Sequence, residues 1–170
     1  RQMRKDFIYV TNDATSCYDR ILLMVAYLTM RNFGIPENAA KATTLALYEM
    51  EIKIRTVYGV SESKYGGKAL DEIIHGIGQG NGYGPTLWAA ISSVIFNILR
   101  KRGFGTNITA AISKESTKLV SFSFVDDTDT ITYAKKDETW EDLAREVQKA
   151  LTLWDEILRT TGGSLSQDKC

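Results

Sequence analysis

The sequence predicts an α+β fold, a small antiparallel β-sheet with helices packed on one face. Three observations predict it. In Ser121–Ala134, SFSFVDDTDTITYA, Phe122 and Phe124 alternate with Ser121 and Ser123, and Ile131 and Tyr133 alternate with Thr130, Thr132 and Ala134. Period-two alternation on both sides of Asp126-Asp127 describes two antiparallel strands joined by a tight turn. Helical patterns alternate with hairpins instead of repeating as βα units, which argues against a doubly wound sheet. The 170 residues, 44% apolar and 25% charged, suffice for one globular domain with a core. No internal repeat, low-complexity tract or domain boundary interrupts residues 1–170.

Asp6–Asn12, DFIYVTN, reads as a buried strand with Asp13 at its end. Cys17–Phe33 has apolar residues at helical spacing (Leu22, Val25, Leu28), with Gly34 as its natural stop. Pro36 suits the start of a second helix running to about Lys53. From Met50 the pattern MEIKIRTVYGV alternates, so the end of that segment turns toward strand. Ser61–Gly84 is rich in glycine (66, 67, 76, 78, 80, 82) and holds the single histidine, His75, which reads as a loop or edge residue. A short strand is expected at Leu70–Ile74. The run HGIGQGNGYGP then enters a helix over Pro85–Arg102, whose Leu87, Ile91, Val94, Ile95, Ile98 and Leu99 form a broad apolar face. Trp88 is expected to pack beneath the loop.

Gly103–Asn107 reads as a turn, Ile108–Ile112 as a strand and Lys114–Lys118 as a second turn. Thr139-x-x-Asp142 resembles a capping box with aspartate in the usual Glu/Gln place. The helix it opens carries an apolar stripe of Trp140, Leu143, Val147, Leu151, Trp154 and Leu158, expected in the core. Gly162-Gly163 stop it.

Lys+Arg 21 balances Asp+Glu 21. A free-standing nucleic-acid binder is usually basic overall, so autonomous binding is disfavoured. Cys17, a small buried residue on this reading, and Cys170 form no CxxC pair or disulfide framework, which points to an intracellular, reducing compartment. The longest apolar run, Ile21–Leu28, is too short to span a bilayer, and no membrane association is expected. The chain has no initiator methionine and reads as a piece of something larger.

Asp13 and the hairpin pair Asp126/Asp127 converge if their strands are neighbours. Clustered carboxylates repel unless a cation neutralises them. Oxygen-only ligands in a partly open site suit Mg²⁺ or Mn²⁺. Two such ions stabilise the attacking and leaving oxygens of an in-line phosphoryl displacement. A glycine loop entering a helix presents free backbone N–H groups, which suit phosphate. It matches neither a P-loop nor a Rossmann fingerprint. Asp19-Arg20 read as making local ion pairs or hydrogen bonds near the helix start, and Asp129 as a solvated strand charge.

Four segments, in order, resemble the palm of retroelement-type reverse transcriptases: NDATSCYDRI (Asn12–Ile21), GQGNGYGPTLW (Gly78–Trp88), FVDD (Phe124–Asp127) and TGGSLSQDKC (Thr161–Cys170). The resemblance covers nearly the whole chain. It implies a polymerase palm, with RNA template, DNA primer and dNTP as partners and two Mg²⁺ ions, replaceable by Mn²⁺, as cofactors. By position, Asp13 and Asp126 match the principal metal ligands, and Asp127 the supporting second aspartate of the box. Gln79, Gly80 and Pro85 match the nucleotide-side motif. Tyr18 matches an aromatic gate that excludes a ribose 2′-OH, and Lys169 a lysine that assists the leaving pyrophosphate. RNA-dependent RNA polymerases tend to carry a carboxylate at the gate; here the acid comes one residue later, at Asp19. The family's fingers and thumb lie outside this sequence. The resemblance therefore implies weak metal binding and little polymerase activity for this chain alone, and apolar surface that favours self-association. A non-catalytic palm kept as an interaction module and a nucleotide cyclase are the readings from other classes.

Overall fold

The computed structural model of the chain describes residues 6–67 and 76–170. The expected strand at Leu70–Ile74 and His75 lie outside the described residues. The described chain is a mixed α/β structure of small antiparallel sheets and five α-helices.

In chain order the elements are β1 (Phe7–Asp13), α1 (Cys17–Arg20), α2 (Leu23–Asn32), α3 (Glu37–Tyr48), β2 (Glu51–Ile52), β3 (Arg55–Thr56), β4 (Gly59–Val60), β5 (Tyr65–Gly66), α4 (Gly84–Lys101), β6 (Thr106–Thr109), β7 (Ser116–Leu119), β8 (Ser121–Phe124), β9 (Asp127–Tyr133) and α5 (Trp140–Thr160). A short 3₁₀ turn, Gln167–Lys169, follows. The chain divides into two compact units, Arg1–Cys17 with Ser92–Cys170, and Tyr18–Ile91.

The first unit is built on a three-stranded antiparallel sheet in the order β1-β9-β8. Its register pairs Phe7 with Tyr133 at one end and Asp13 with Asp127 at the other. Because side chains alternate across a strand, Phe7, Tyr9, Thr11 and Asp13 share one face with Asp127, Asp129, Ile131 and Tyr133. The opposite face carries Asn12, Thr128 and Thr132, which are buried. Helix α5 packs against β1 and β9 and buries Leu143, Val147, Ala150, Trp154 and Leu158. Phe96 of α4 stacks on Trp154, ring centroids 5.3 Å apart. The first face remains open: Phe7, Tyr9, Phe122 and Phe124 are all exposed. β1 is therefore half-buried, not buried as the sequence suggested, because its apolar run alternates about a sheet covered on one side.

The caps behave as their residue types require. Thr139 accepts a hydrogen bond from the Asp142 N–H, and the Asp142 carboxylate accepts from the Thr139 N–H, so the capping box is complete. The N–H groups of Gly162 and Gly163 close the far end on the carbonyls of Arg159 and Leu158. Trp140 departs from the expected stripe and is 56% exposed. It is the first helical residue, where the turn that would cover it has not yet formed. The β6–β7 hairpin also replaces the expected arrangement. Thr106–Thr109 pairs with Ser116–Leu119, so the segment taken for a second turn is mostly strand. The turn falls earlier, over residues 111–113, where the Lys114 N–H donates to the Ala110 carbonyl and Lys114 takes φ 61, so the expected strand Ile108–Ile112 ends at Thr109.

In the second unit the expected helix Cys17–Phe33 is broken in two. Leu22 is extended (φ −62, ψ 129) and caps α2. Gly34, at φ +84, ends α2 as expected, with the Gly34 and Ile35 N–H groups bonded to the carbonyls of Arg31 and Met30. Pro36 caps α3, which stops at Tyr48. The alternating run that follows forms two small hairpin pairs, β2 with β5 and β3 with β4. Val57 and Tyr58, at the tip of the second, are 94% and 97% exposed. Helices α2 and α3 pack together and bury Ala26, Met30, Ala40 and Leu47. Trp88 is buried. No helix among the described residues is long and apolar enough to cross a membrane.

Candidate active site

Asp13 and Asp127 are the last residue of β1 and the first of β9, and they face each other directly across the strand pair. Asp126 stands beside them in the two-residue turn Val125-Asp126 that joins β8 to β9. Ser123 braces that turn: its hydroxyl donates to the carbonyls of Val125 and Asp127 at 3.1 and 3.0 Å. Val125 holds φ 59, a left-handed conformation that is an outlier for a β-branched residue. Strain of this kind collects at functional turns.

The chain's last segment returns to the same place. The N–H of Thr15 donates to the Ser164 carbonyl and the N–H of Ser166 to the Asp13 carbonyl, both at 2.9 Å. Ala14 and Leu165 form an antiparallel bridge between them. The 3₁₀ turn then brings the Lys169 Nζ to 2.7 Å from Asp13 Oδ2. The Asp13 carboxylate, by hydrogen bond and by charge, holds the Lys169 ammonium above the usual lysine range, and Asp126 and Asp127 add to the attraction. Burial of the ammonium opposes it. Tyr9, Thr11, Asp13, Asp127, Asp129 and Lys169 line an open pocket of about 540 Å³ on the uncovered sheet face.

Asp129 is half-buried on that face, not a freely solvated charge. Its carboxylate accepts a hydrogen bond from the Tyr9 hydroxyl, and this bond, with burial and charge repulsion, raises the Tyr9 phenol above its ordinary range. Sequence reasoning did not mark Tyr9 as part of the site, although its spacing carried the signal. Tyr9 lies four residues before Asp13 and Asp129 two after Asp127, and period two puts all four on one face. The return of Ser164–Ser166 to β1 has no local signature, since it depends on where α5 delivers the chain.

Asp13, Asp127 and Lys169 are thus brought together, with Asp126 adjacent. Among the described residues no three or more His, Cys, Asp or Glu side chains are gathered closely enough to hold a metal ion. The chemistry of the donor set nevertheless fits a hard divalent cation. It consists of carboxylate oxygens, it concentrates negative charge at one end of a sheet, and it already draws one cation, the Lys169 ammonium, onto Asp13.

Tyr18, Gln79, Gly80 and Pro85 belong to the second unit. Gly76–Gly84 is tied to the chain at Tyr18-Asp19. The Ile77 N–H donates to the Tyr18 carbonyl at 2.7 Å. The Gln79 N–H donates to Asp19 Oδ1 at 2.9 Å. Asp19 therefore has a partner sixty positions away in sequence, which the expectation of local ion pairs or hydrogen bonds near the helix start did not foresee. Gly76, at φ +94, lies so close that a Cβ there would be 2.4 Å from the Asp19 carbonyl carbon. Ile77 is fully buried. The Tyr18 ring packs near Gly84, and its hydroxyl is buried. Pro85 is the second residue of α4, where a missing N–H leaves no helical bond unmade.

The chain matches no family model, and no curated protein matches it in sequence.

Proposed function

We propose that the chain is the catalytic palm of an RNA-directed DNA polymerase, adding dNTPs to a primer 3′-OH on an RNA template. The observation that carries this reading is the direct cross-strand pairing of Asp13 with Asp127, beside Asp126 and Lys169, on an uncovered sheet face. Like charges directly opposite each other across an antiparallel pair are destabilising, and Asp13 and Asp127 stand in that register. Such an arrangement is unfavourable for folding and suits a site that concentrates cations.

Asp13, Asp126 and Asp127 would hold two Mg²⁺ ions, which when bound supply charge neutralisation at the attacking and leaving oxygens. The remaining work falls to the chain's own groups. The Lys169 ammonium would balance charge on a departing pyrophosphate. The positive end of α4, next to the Gly80 loop, suits a triphosphate. The open face with its exposed aromatic rings offers apolar surface on which a primer terminus can rest. Tyr18 supports selection of dNTPs. Asp19, the nearest carboxylate to the gate in sequence, has one oxygen engaged by Gln79, which leaves less of it for a ribose 2′-OH.

The test is primer extension on an RNA template by an enzyme that contains this chain, with dNTPs and rNTPs compared. Extension with dNTPs that Asp13→Asn abolishes is the expected result. Tyr18→Ala is expected to admit rNTPs while leaving dNTP use largely intact. Extension that survives Asp13→Asn would overturn the assignment of the site. A preference for rNTPs in the wild type would move the reading to an RNA-dependent RNA polymerase.

A further inference from the structure

We infer that Asp19 is a positioning residue for nucleotide binding, acting by fixing the Gln79–Gly80 segment through the Gln79 N–H. The inference rests on the polymerase reading, since it takes the ligand of that segment to be a deoxynucleoside triphosphate. Four contacts in one unit carry it. Asp19 Oδ1 accepts the Gln79 N–H at 2.9 Å. The Tyr18 carbonyl accepts the Ile77 N–H at 2.7 Å. Gly76 approaches the backbone of Tyr18 and Asp19 more closely than any side chain would allow. Gly84, at the loop's other end, lies against the Tyr18 ring. Both ends of the loop are therefore referenced to Tyr18-Asp19.

Between those anchors, Gly80 takes φ +83 with nothing within 4 Å of where its Cβ would be. The segment is held at its ends and open at its apex, as a ligand-facing loop needs to be. The Asp19 side chain is the only side-chain anchor of the Gln79 N–H among the described residues. The carboxylate here serves as an acceptor, so an amide oxygen of the same shape can replace it.

The experiment uses the full 170-residue chain with dGTP and Mn²⁺ as the probe. Hydrogen exchange of the Gln79 amide and equilibrium binding of dGTP are measured for wild type, Asp19→Ala and Asp19→Asn. Asp19→Ala is expected to speed exchange at Gln79 and weaken dGTP binding about tenfold, the scale of one lost charge-assisted hydrogen bond. Asp19→Asn is expected to stay within about threefold of wild type in both, because it keeps the acceptor. Unchanged dGTP affinity in Asp19→Ala alongside faster Gln79 exchange overturns the inference and leaves the polymerase reading standing. Asp19→Asn as weak as Asp19→Ala also overturns it, by showing that the charge matters and the acceptor does not. Wild type that binds no dGTP with Mn²⁺ overturns this inference, whereas the polymerase reading stands or falls by primer extension with the enzyme that contains this chain. If Asp19→Ala does not fold, Asp19→Asn decides: wild-type exchange and affinity support the inference, and loss of either rejects it.

Discussion

Val125 sits in the turn between Phe124 and Asp127 with its backbone at φ 59. An L-residue in that region pays about 1–2 kcal/mol in steric strain, more when branched at Cβ. Glycine removes the strain and returns part of the gain as unfolded-state entropy. Val125→Gly is therefore expected to raise stability by roughly 0.5–1 kcal/mol, measured by urea denaturation, while loosening the turn that presents Asp126. No gain would mean that the turn is not strained in solution. Lys169 makes a second residue-scale case. Its ammonium and a divalent cation compete for the Asp13 carboxylate. Lys169→Gln is expected to tighten Mn²⁺ binding about threefold, a modest change because the lysine side of the ion pair is exposed and screened by water. Weaker Mn²⁺ binding in that variant would show that the lysine helps to assemble the site and does not compete for it.

At the scale of elements, α5 is the support of the sheet, and its start depends on Thr139 and Asp142. Thr139→Ala is expected to lower stability by about 1 kcal/mol in thermal or chemical denaturation. The Asp142 carboxylate is held below the usual aspartate range by the Thr139 hydroxyl and N–H, and further by Arg145. A depressed folded-state value means that this contribution is present above the unfolded aspartate value of about 4 and is lost as pH falls through the lower folded one. The stability difference between wild type and Thr139→Ala should accordingly shrink below about pH 4. A difference independent of pH would remove Asp142 from the explanation. The glycine loop gives the other element-scale test. In Gly76→Ala the Cβ meets the Asp19 backbone, which cannot swing aside as a side chain can. Its expected signature is faster hydrogen exchange at Ile77 and Gln79 with α5 unaffected.

At the scale of the molecule, the parts readable from sequence are those set by short-range patterns. The acidic hairpin, β1, α4, the α5 capping box and the Gly34 and Gly162-Gly163 stops follow from periodicity and cap chemistry. The break at Leu22 did not show, because the apolar spacing runs on through it. The β6–β7 hairpin was misplaced because its strands, TNIT and STKL, are short and polar and draw their pairing from each other. The loop's attachment to Asp19 spans sixty positions and the return of Lys169 to Asp13 nearly the whole chain, both beyond the reach of local pattern. Val57, Tyr58 and Ile112 are the most exposed large apolar side chains among the described residues, and on the polymerase reading we propose self-association through such surface. Val57→Ser with Tyr58→Ser is expected to reduce it in light scattering, and a wild type that stays monomeric at high concentration would refute it.

The central claim is that the three aspartates at the Asp13–Asp127 strand ends form one cation site. Titration of the chain with Mn²⁺, followed by paramagnetic broadening of residues around Asp13 and by calorimetry, tests it most directly. Binding in the wild type, with broadening centred on Asp13, Asp126 and Asp127 and lost in Asp126→Asn, is the predicted result. Broadening centred elsewhere, or binding that Asp126→Asn leaves intact, would contradict it.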